Sequence, residues 1–220
     1  MRSICNKLAR SIVNVCIKGS LALLTLTGGA HSARSQVLVD VPNSTGTGVA
    51  ATTTSTTPTQ YDIFGGTRSE NGDNLFHRLS QFNLSAGQSA QFIAEPDIQN
   101  IFSHITGSYS VIDGTLTLST GATANLFLIN PAGVLFGPNA QLNLPANFTA
   151  TTATGIGFEN QILNLLETLV PTEDATYALL NGSPTAFEFE TNSAIANLAN
   201  LSVNKNSGLS LMGGTLINTG

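Results

Sequence analysis

Short apolar runs separated by turn-forming residues make up most of the chain after residue 60. The stretch NLFLINPAGVLFGPNAQLN, residues 125–143, contains two such runs, with one turn between them and another after the second. Short apolar segments bounded by Gly, Pro and Asn are typical of β-strands joined by turns. LFLI is apolar at every position, which favours a strand covered on both faces. Residues 61 to about 154 are therefore predicted to form a succession of short strands.

The region before residue 61 gives a weaker pattern. Residues 36–42 alternate apolar and polar side chains, which predicts an opening strand. Residues 43–59 are rich in Thr, Ser and Gly, and this low-complexity composition favours an exposed loop. We expect ordered β structure to resume near Tyr61.

A helical pattern interrupts the strands between residues 159 and 182. Apolar residues at helical intervals predict an amphipathic helix that stops at Pro171: Ile162, Leu165, Leu166 and Leu169. A second short helix is predicted from a cap at Thr172 through residues 177–180, with Asn181-Gly182 as its end. These two helices are expected to form a short insertion in the β body, placed over an open edge or core end.

Beyond residue 185 the short strands return, with apolar residues separated by Asn and Gly as far as Gly220. Units of this kind cannot bury an apolar face alone, so they stack as the coils of a solenoid. The chain stops inside this pattern. We therefore expect either a fragment of a longer protein or a last coil that is left open.

The first 35 residues have the pattern of a secretory signal peptide. A basic leader precedes an apolar run of 11 residues (20–30), and small residues follow it. This run is too short to span a bilayer, which takes about 20 residues. Cleavage is predicted after Ser35, with Ser32 as the second choice, and a buried N-terminal helix is the alternative interpretation.

Removal of this leader would leave an acidic chain without cysteine. Arg68, Arg78 and Lys205 are the three basic residues after Ser35, whereas all 13 acidic residues remain, so the net charge is 3 − 13 = −10. Such a charge argues against nucleic acid and anionic membrane surfaces as partners. Both cysteines lie in the leader, so the mature domain must be held by backbone pairing and core packing.

Residues suited to catalysis or metal binding are sparse. Glu95 and Asp97 are the closest carboxylate pair, but they flank Pro96 in a predicted turn, where solvated carboxylates are the ordinary outcome. His77 and His104 are isolated from one another, and the mature chain has no cysteine, so no metal-ligand spacing results. We predict no enzyme activity and no catalytic, cofactor-binding or metal-binding residue.

Two motifs connect the sequence to a known family. Asn130-Pro131-Ala132-Gly133-Val134 follows an apolar strand, where filamentous-haemagglutinin-type proteins carry Asn-Pro-Asn-Gly-Ile. Upstream, Glu95-Pro96-Asp97-Ile98 stands where that family has Asn-Pro-Asn-Leu. Together with GGTRSENGDNLFHRLSQFNL, IQNIFSHITG and IDGTL, in this order behind a signal peptide, they make residues 36–220 resemble the N-terminal two-partner secretion domain of these proteins.

The resemblance implies an all-β, right-handed parallel β-helix, with N-terminal capping strands and the short helical insertion, over residues 61–220. It also implies a partner, an outer-membrane β-barrel transporter whose periplasmic domains bind the extended chain, and a secreted or cell-surface location. The two motifs would serve as transporter-recognition elements or as a folding nucleus. Three Asn positions are replaced, by Ala132, Glu95 and Asp97, while Pro131 and Gly133 preserve the turn geometry of the downstream motif.

Two other functions fit a parallel β-helix. One is an adhesin-type module that binds carbohydrate or another cell-surface ligand through an exposed face. The other is a polysaccharide-active enzyme, which would need paired carboxylates or a basic residue on one face of the solenoid. A long repeat region in the parent gene would favour the first, and activity on acidic polysaccharide the second.

Overall fold

The structure, a computed structural model, describes residues 36–41, 45–53, 58–159, 161–166 and 174–220. The predicted signal peptide lies outside the described residues, as do Leu169, Pro171 and Thr172 of the predicted helices.

The described chain is almost entirely β-structure. Its strands are β1 (Gln36–Val39), β2 (Thr47–Thr53), β3 (Pro58–Gly65), β4 (Thr67–Arg68), β5 (Asn74–Asn83), β6 (Ser89–Phe92), β7 (Asn100–Ile105), β8 (Ser110–Ile112), β9 (Thr115–Leu118), β10 (Asn125–Ile129), β11 (Val134–Phe136), β12 (Gln141–Asn143), β13 (Phe148–Thr151), β14 (Gly155–Phe158), β15 (Gln161–Asn164), β16 (Ala186–Glu188), β17 (Ala194–Asn197), β18 (Leu209–Met212) and β19 (Thr215–Asn218). A single helix, α1 (Asp174–Ala178), lies among the described residues.

Three mostly parallel sheets form the faces of a β-helix. Sheet 1 has the strand order β1-β5-β7-β10-β13-β18, with β4 paired to β5; sheet 2 is β2-β3-β6-β9-β12; and sheet 3 is β8-β11-β17-β19. We number the coils by their strand in sheet 1, so that coils 1 to 5 contain β5, β7, β10, β13 and β18. The predicted parallel solenoid is confirmed.

The core follows from side-chain alternation along each strand. Leu75 is in register with Ile101, Ile101 with Leu126, and Leu126 with Phe148, and all four side chains are buried inside the solenoid. Their neighbours in the chain point outwards and form a second column, in which Phe76 pairs with Phe102 and Phe102 with Phe127. Apolar residues therefore cover both faces of sheet 1.

The outer aromatic column is covered by an insertion between β13 and β17, which we call the excursion (residues 155–188). It contains the antiparallel sheet β15-β14-β16 and α1. Phe158, Tyr177 and Phe187 of the excursion contact the aromatic column. This cover explains why LFLI, within β10, is apolar throughout.

The amphipathic helix predicted from Ile162 is wrong in its described part. Residues 161–164 form β15, which pairs antiparallel with β14, so that Leu163 is buried and Ile162 is 59% exposed. A helix would have used Ile162 as part of its apolar face. The second predicted helix is confirmed by α1, although α1 has only five residues.

The N-terminal strands cap the first coil. β1 pairs antiparallel with β5, which confirms the predicted opening strand, and β2 pairs antiparallel with β3. The prediction of a loop for residues 43–59 is therefore wrong for the part that forms β2. A Thr-rich composition is compatible with a strand as well as with a loop, because Thr is a good strand former, and here Val49 pairs with Ile63.

Candidate functional site

The motif at residues 130–134 forms the corner between β10 and β11. Asn130 is fully buried, and its Nδ2 donates hydrogen bonds to Ser108 O at 3.1 Å and to Ser110 Oγ at 2.9 Å. Its Oδ1 accepts a hydrogen bond of 2.9 Å from Ala132 N, which forms a local Asx turn. One end of the Asn130 amide thus binds the preceding coil, and the other end shapes the corner itself.

The backbone of the same corner fits between two coils. Gly133 N donates to Asn130 O at 2.9 Å, and Ser110 N of coil 2 donates to Gly133 O at 3.0 Å. Gly133 has a φ of 121°, and a Cβ at this position would lie 3.1 Å from Ala194 O in coil 4. Glycine is required here by the backbone conformation and by the close approach of the next coil.

The remaining motif residues have contrasting environments. Val134 is buried at the start of β11, Pro131 is half-buried, and Ala132 is exposed. The position at which the family resembled by this chain carries its second Asn therefore faces solvent. Alanine at this position removes a surface amide and leaves the packing of the corner intact.

The upstream motif forms the turn between β6 and β7. Ile98 N donates to Glu95 O at 3.2 Å, which closes the turn, and the Ile98 side chain is buried in the core. Glu95, Pro96 and Asp97 are exposed. This turn joins sheet 2 to sheet 1, whereas the Asn130 corner joins sheet 1 to sheet 3, so the two motifs lie at different edges of the β-helix.

The two carboxylates of this turn share one arginine. Arg68 Nη1 lies 2.5 Å from Glu95 Oε2, and Arg68 Nη2 lies 2.6 Å from Asp97 Oδ2, while the carboxylate side chains stay 73% and 66% exposed. The hydrogen bond from Arg68 lowers the pKa of Asp97, and the same bond raises the pKa of Arg68. The carboxylates are solvated, as predicted, but they also hold the turn against the loop that follows β4.

The family relationship of the chain rests on a direct comparison. The model of the TPS secretion domain matches residues 39–220, nearly all of the described chain. The chain belongs to this family. A search of curated proteins found no match. The resemblance to the two-partner secretion domain of filamentous haemagglutinins is thereby confirmed.

Membership of this family shows the general function of the TPS domain. The chain is a two-partner secretion substrate, exported across the outer membrane with the help of a partner outer-membrane transporter. The family is one of secreted substrates and not a catalytic family. Within the described ranges, no helix has the length and apolar character needed to cross a membrane.

A column of asparagines runs through the TPS domain beside the Glu95–Ile98 turn. Asn100 Nδ2 donates to Asn74 Oδ1, Asn125 Nδ2 to Asn100 Oδ1, and Asn147 Nδ2 to Asn125 Oδ1, each at 2.9 Å. Asn147 Oδ1 then accepts a hydrogen bond of 2.6 Å from Gly208 N. This asparagine ladder links all five coils through side-chain amides.

The motifs recognised in the sequence do not include this ladder, although a repeated pattern in the sequence marks its positions. Asn-Leu-Phe at 74–76, Asn-Ile-Phe at 100–102 and Asn-Leu-Phe at 125–127 are three copies of one triplet. In each copy the Asn enters the ladder, the aliphatic residue enters the core, and the Phe joins the outer aromatic column. The triplet therefore occurs once in each of coils 1 to 3.

Ionisable groups are buried on both sides of sheet 1. Arg78 and Asp40 form an ion pair with side-chain exposures of 9% and 15%. Burial lowers the pKa of nearby His104 to about 3, with a further contribution from the Arg78 charge. Burial alone lowers the pKa of His77, inside the solenoid against Phe92, to about 4. Both histidines are therefore neutral in the folded domain at physiological pH.

A cleft of about 330 Å³ lies next to the Asn130 corner. Pro131 and Ala132 line one side, Arg78 and His104 form its floor in sheet 1, and Leu165 belongs to the excursion. The Arg78 charge is balanced by Asp40 and His104 is neutral, so the cleft carries no net charge. Among the described residues, no three His, Cys, Asp or Glu side chains are placed to hold a metal ion.

Proposed function

We propose that residues 130–134 act twice during export: the transporter reads them in the extended chain, and they then help to nucleate coil folding at the cell surface. The observation that supports this order is the burial of Asn130. In the folded domain its side chain is 0% exposed, and both ends of its amide are hydrogen-bonded within the protein. A transporter could contact this amide only before the corner closes.

The partner in this proposal is the set of periplasmic domains of the outer-membrane transporter. A parallel solenoid can nucleate in one place and extend coil by coil. Coils that fold outside the cell would hinder back-sliding of the chain and would help to draw out the rest. The turn at residues 95–98 would be a second recognition element, since Arg68 comes to pair with its two carboxylates only on folding.

Secretion by the complete chain tests transporter recognition. Residues 1–220 are co-expressed with a candidate transporter, and the protein released into the medium is measured. We expect Asn130→Ala to reduce release to the level of cells without the transporter. Asn139→Ala is the matched control, because Asn139 stabilises the next corner of the same coil through Asp113 and lies outside the motif. Release that persists without the transporter, or that is unchanged by Asn130→Ala, would contradict the proposal.

Refolding of the purified domain tests nucleation separately. A residue of the folding nucleus changes the folding rate, whereas a residue that packs later changes mainly the unfolding rate. We expect Asn130→Ala to slow folding more than Asn139→Ala in stopped-flow experiments with tyrosine fluorescence. A slower folding rate without a loss of release would assign the motif to folding alone.

We also propose that residues 1–35 are removed as a signal peptide. The released protein should begin at Gln36, or at Ala33 if cleavage follows Ser32. Mass spectrometry of the secreted material distinguishes these two products from an uncleaved chain.

The outer face of sheet 2 favours a second candidate function, the binding of a neutral glycan at the cell surface. Side chains with amide or hydroxyl groups, and one carboxylate at Asp62, stand on this face in two columns set by the strand register: Gln60, Ser89, Thr115 and Gln141; and Asp62, Gln91, Thr117 and Asn143. The strands of this sheet contain no Lys or Arg, so the face has no attraction for anionic polymers.

Binding of immobilised glycans by the purified domain tests this candidate. We expect retention on neutral polysaccharides, no retention on sulfated ones, and loss of retention in Gln91→Ala. Asn218→Ala, in β19 on sheet 3, is a control on a different face. Equal retention by both variants would count against a site on sheet 2.

A further inference from the structure

The excursion makes a contact that a simple solenoid does not have. Each coil of a solenoid normally touches only its neighbours. The excursion leaves the stack after β13 of coil 4 and rejoins it at β17, yet its helical end packs against coil 1. We call residues 177–182 the clip.

Hydrogen bonds tie the clip to the start of coil 1. Asn74 Nδ2 donates to Leu180 O and to Gly182 O, each at 2.7 Å, across sequence separations of 106 and 108 residues. Glu70 N donates to Ala178 O at 2.8 Å, and Asn71 N donates to Asn181 Oδ1 at 3.1 Å. Asn74 is also the first rung of the asparagine ladder, so the clip completes the ladder at coil 1.

Apolar contacts reinforce the same attachment. The Tyr177 ring lies 5.0 Å from the Phe76 ring of coil 1, and the Tyr177 side chain is 2% exposed. Leu180 is fully buried in the same outer cluster. Phe158 meets Phe76 and Phe102 edge-on, at 6.2 and 5.4 Å between ring centroids. Without the clip, Phe76 would lose part of its cover and the Asn74 amide its backbone acceptors.

We propose that the clip is a folding checkpoint, which lets coil 1 reach full stability only after the excursion has emerged and docked. It joins coil 1 directly to an insertion of coil 4, so that the two coils open together and the stack behaves as one cooperative unit. This goes beyond the proposed export function and relies on it in one respect: at the cell surface, completion of the first coil would wait until residue 182 had crossed the outer membrane.

Hydrogen exchange of the purified protein tests this coupling. Amide exchange is followed by mass spectrometry in β5 and β13 at increasing urea concentrations, which gives an opening free energy for each strand. In the unmodified protein we expect β5 and β13 to open with the same free energy. In Tyr177→Ala we expect exchange in β5 to rise at least about tenfold while β13 is unchanged, because the lost aromatic contact is to coil 1.

Phe187→Ala is the matched control, since Phe187 belongs to the excursion but contacts Phe127 of coil 3, with 6.5 Å between ring centroids. We expect it to accelerate exchange in β10 and to leave β5 coupled to β13. If Tyr177→Ala does not fold, Asn181→Ala removes the acceptor for Asn71 N and a 3.4 Å hydrogen bond to Leu179 O within the clip. It should accelerate exchange in β5 by a smaller factor and leave β13 unchanged.

Independent opening of β5 and β13 in the unmodified protein would overturn the proposal. So would a uniform acceleration of sheet 1 in Tyr177→Ala, which would indicate a general loss of stability. No transporter is present in this experiment, so a failure of transporter recognition in the secretion assay leaves its result unchanged.

Discussion

Asn100 lies one coil above Asn74, and its Nδ2 donates a hydrogen bond of 2.9 Å to Asn74 Oδ1. Both side chains are buried, at 2% and 0% exposure. A buried amide that lacks a partner is costly, and Asn74, Asn100 and Asn125 pair with one another at matching positions of successive coils. A slip of one residue between coils would break these bonds and turn core side chains outwards. The ladder therefore fixes the stacking register.

Asn100→Ala should lower the free energy of unfolding by about 2–4 kcal/mol, because it leaves Asn74 Oδ1 and Asn125 Nδ2 without their partner in the ladder. Urea unfolding at pH 7 measures the change. Asn143→Ala, at an exposed position of β12, should change stability by less than about 0.5 kcal/mol. Similar losses in the two variants would mean that the ladder contributes nothing specific.

Phe102→Ala should be among the most destabilising substitutions, with a loss of about 3–5 kcal/mol. Phe102 is 1% exposed and stacks between Phe76 and Phe127, with ring centroids at 5.0 and 4.7 Å. Thermal or urea unfolding gives the value. Phe189→Ala removes a ring that is 41% exposed and should cost less than half as much, unless the aromatic column has no role in stability.

Gly133→Ala tests the close approach of coil 4 to the Asn130 corner. Gly121→Ala is the control, because Gly121 also has a positive φ, of 89°, but has open space around its Cβ position. We expect a loss of about 1 kcal/mol for Gly121→Ala from backbone strain. Gly133→Ala should lose about 2–4 kcal/mol, since Ala194 must also move. Equal losses in urea unfolding would show that the corner tolerates a side chain.

Acid should destabilise the domain through its two buried histidines. Their folded pKa values, about 4 for His77 and about 3 for His104, lie below the ordinary value of 6.5. Below pH 6.5 the two imidazoles therefore bind protons in the unfolded chain but stay neutral in the folded domain. The free energy of unfolding falls as the pH approaches 4. The expected loss between pH 7 and pH 4 is roughly 3 kcal/mol per histidine.

The matching variant is His104→Gln, which cannot gain a proton near Arg78 and Asp40. Its stability should fall less steeply between pH 7 and pH 4 than that of the unmodified protein, as measured by urea unfolding at several pH values. An unchanged slope would show that His104 does not contribute to the acid sensitivity.

The fold class could be predicted from the sequence because each coil repeats the same local pattern. The triplet that begins at Asn74 returns at Asn100 and Asn125, and Gly and Pro mark the corners between strands. Periodicity of this kind is local information. Recurring short strands separated by Asn and Gly predicted a solenoid, whereas the parallel β-helix and the Asn130 motif were implied by the resemblance to the secretion family.

The two wrong secondary-structure predictions have a common physical cause, which is antiparallel pairing with an adjacent strand that the apolar pattern does not reveal. Ile162 and Leu165 fit a helical spacing, but β14 offers an edge that draws residues 161–164 into an antiparallel strand. Residues 47–53 become a strand because β3 pairs with them. The clip depends on contacts between residues that lie more than 100 positions apart in the sequence. No local pattern around Tyr177 identifies Phe76 as its neighbour.

The sequence motifs predicted where the candidate site lies, but they did not predict the hydrogen bonds and ion pairs that its residues form. The sequence showed Asn130 in a turn, and only the structure shows that its amide binds Ser108 and Ser110 of the preceding coil. In the sequence, nothing distinguishes Arg68 from the other two basic residues after Ser35, Arg78 and Lys205. Its position between Glu95 and Asp97 depends on the turn between β6 and β7 lying beside the end of β4.

The capping strands have a consequence for self-association. A stack of parallel strands ends in free backbone donors and acceptors, and these can template end-to-end polymerisation with another copy. Here the antiparallel strands β1 and β2 occupy the outer edges of β5 and β3. The outermost strands on the N-terminal side of sheets 1 and 2 therefore run against the direction of the coils. A second copy that pairs there does not continue the parallel stack, so capping works against end-to-end growth of one continuous β-helix on a crowded cell surface.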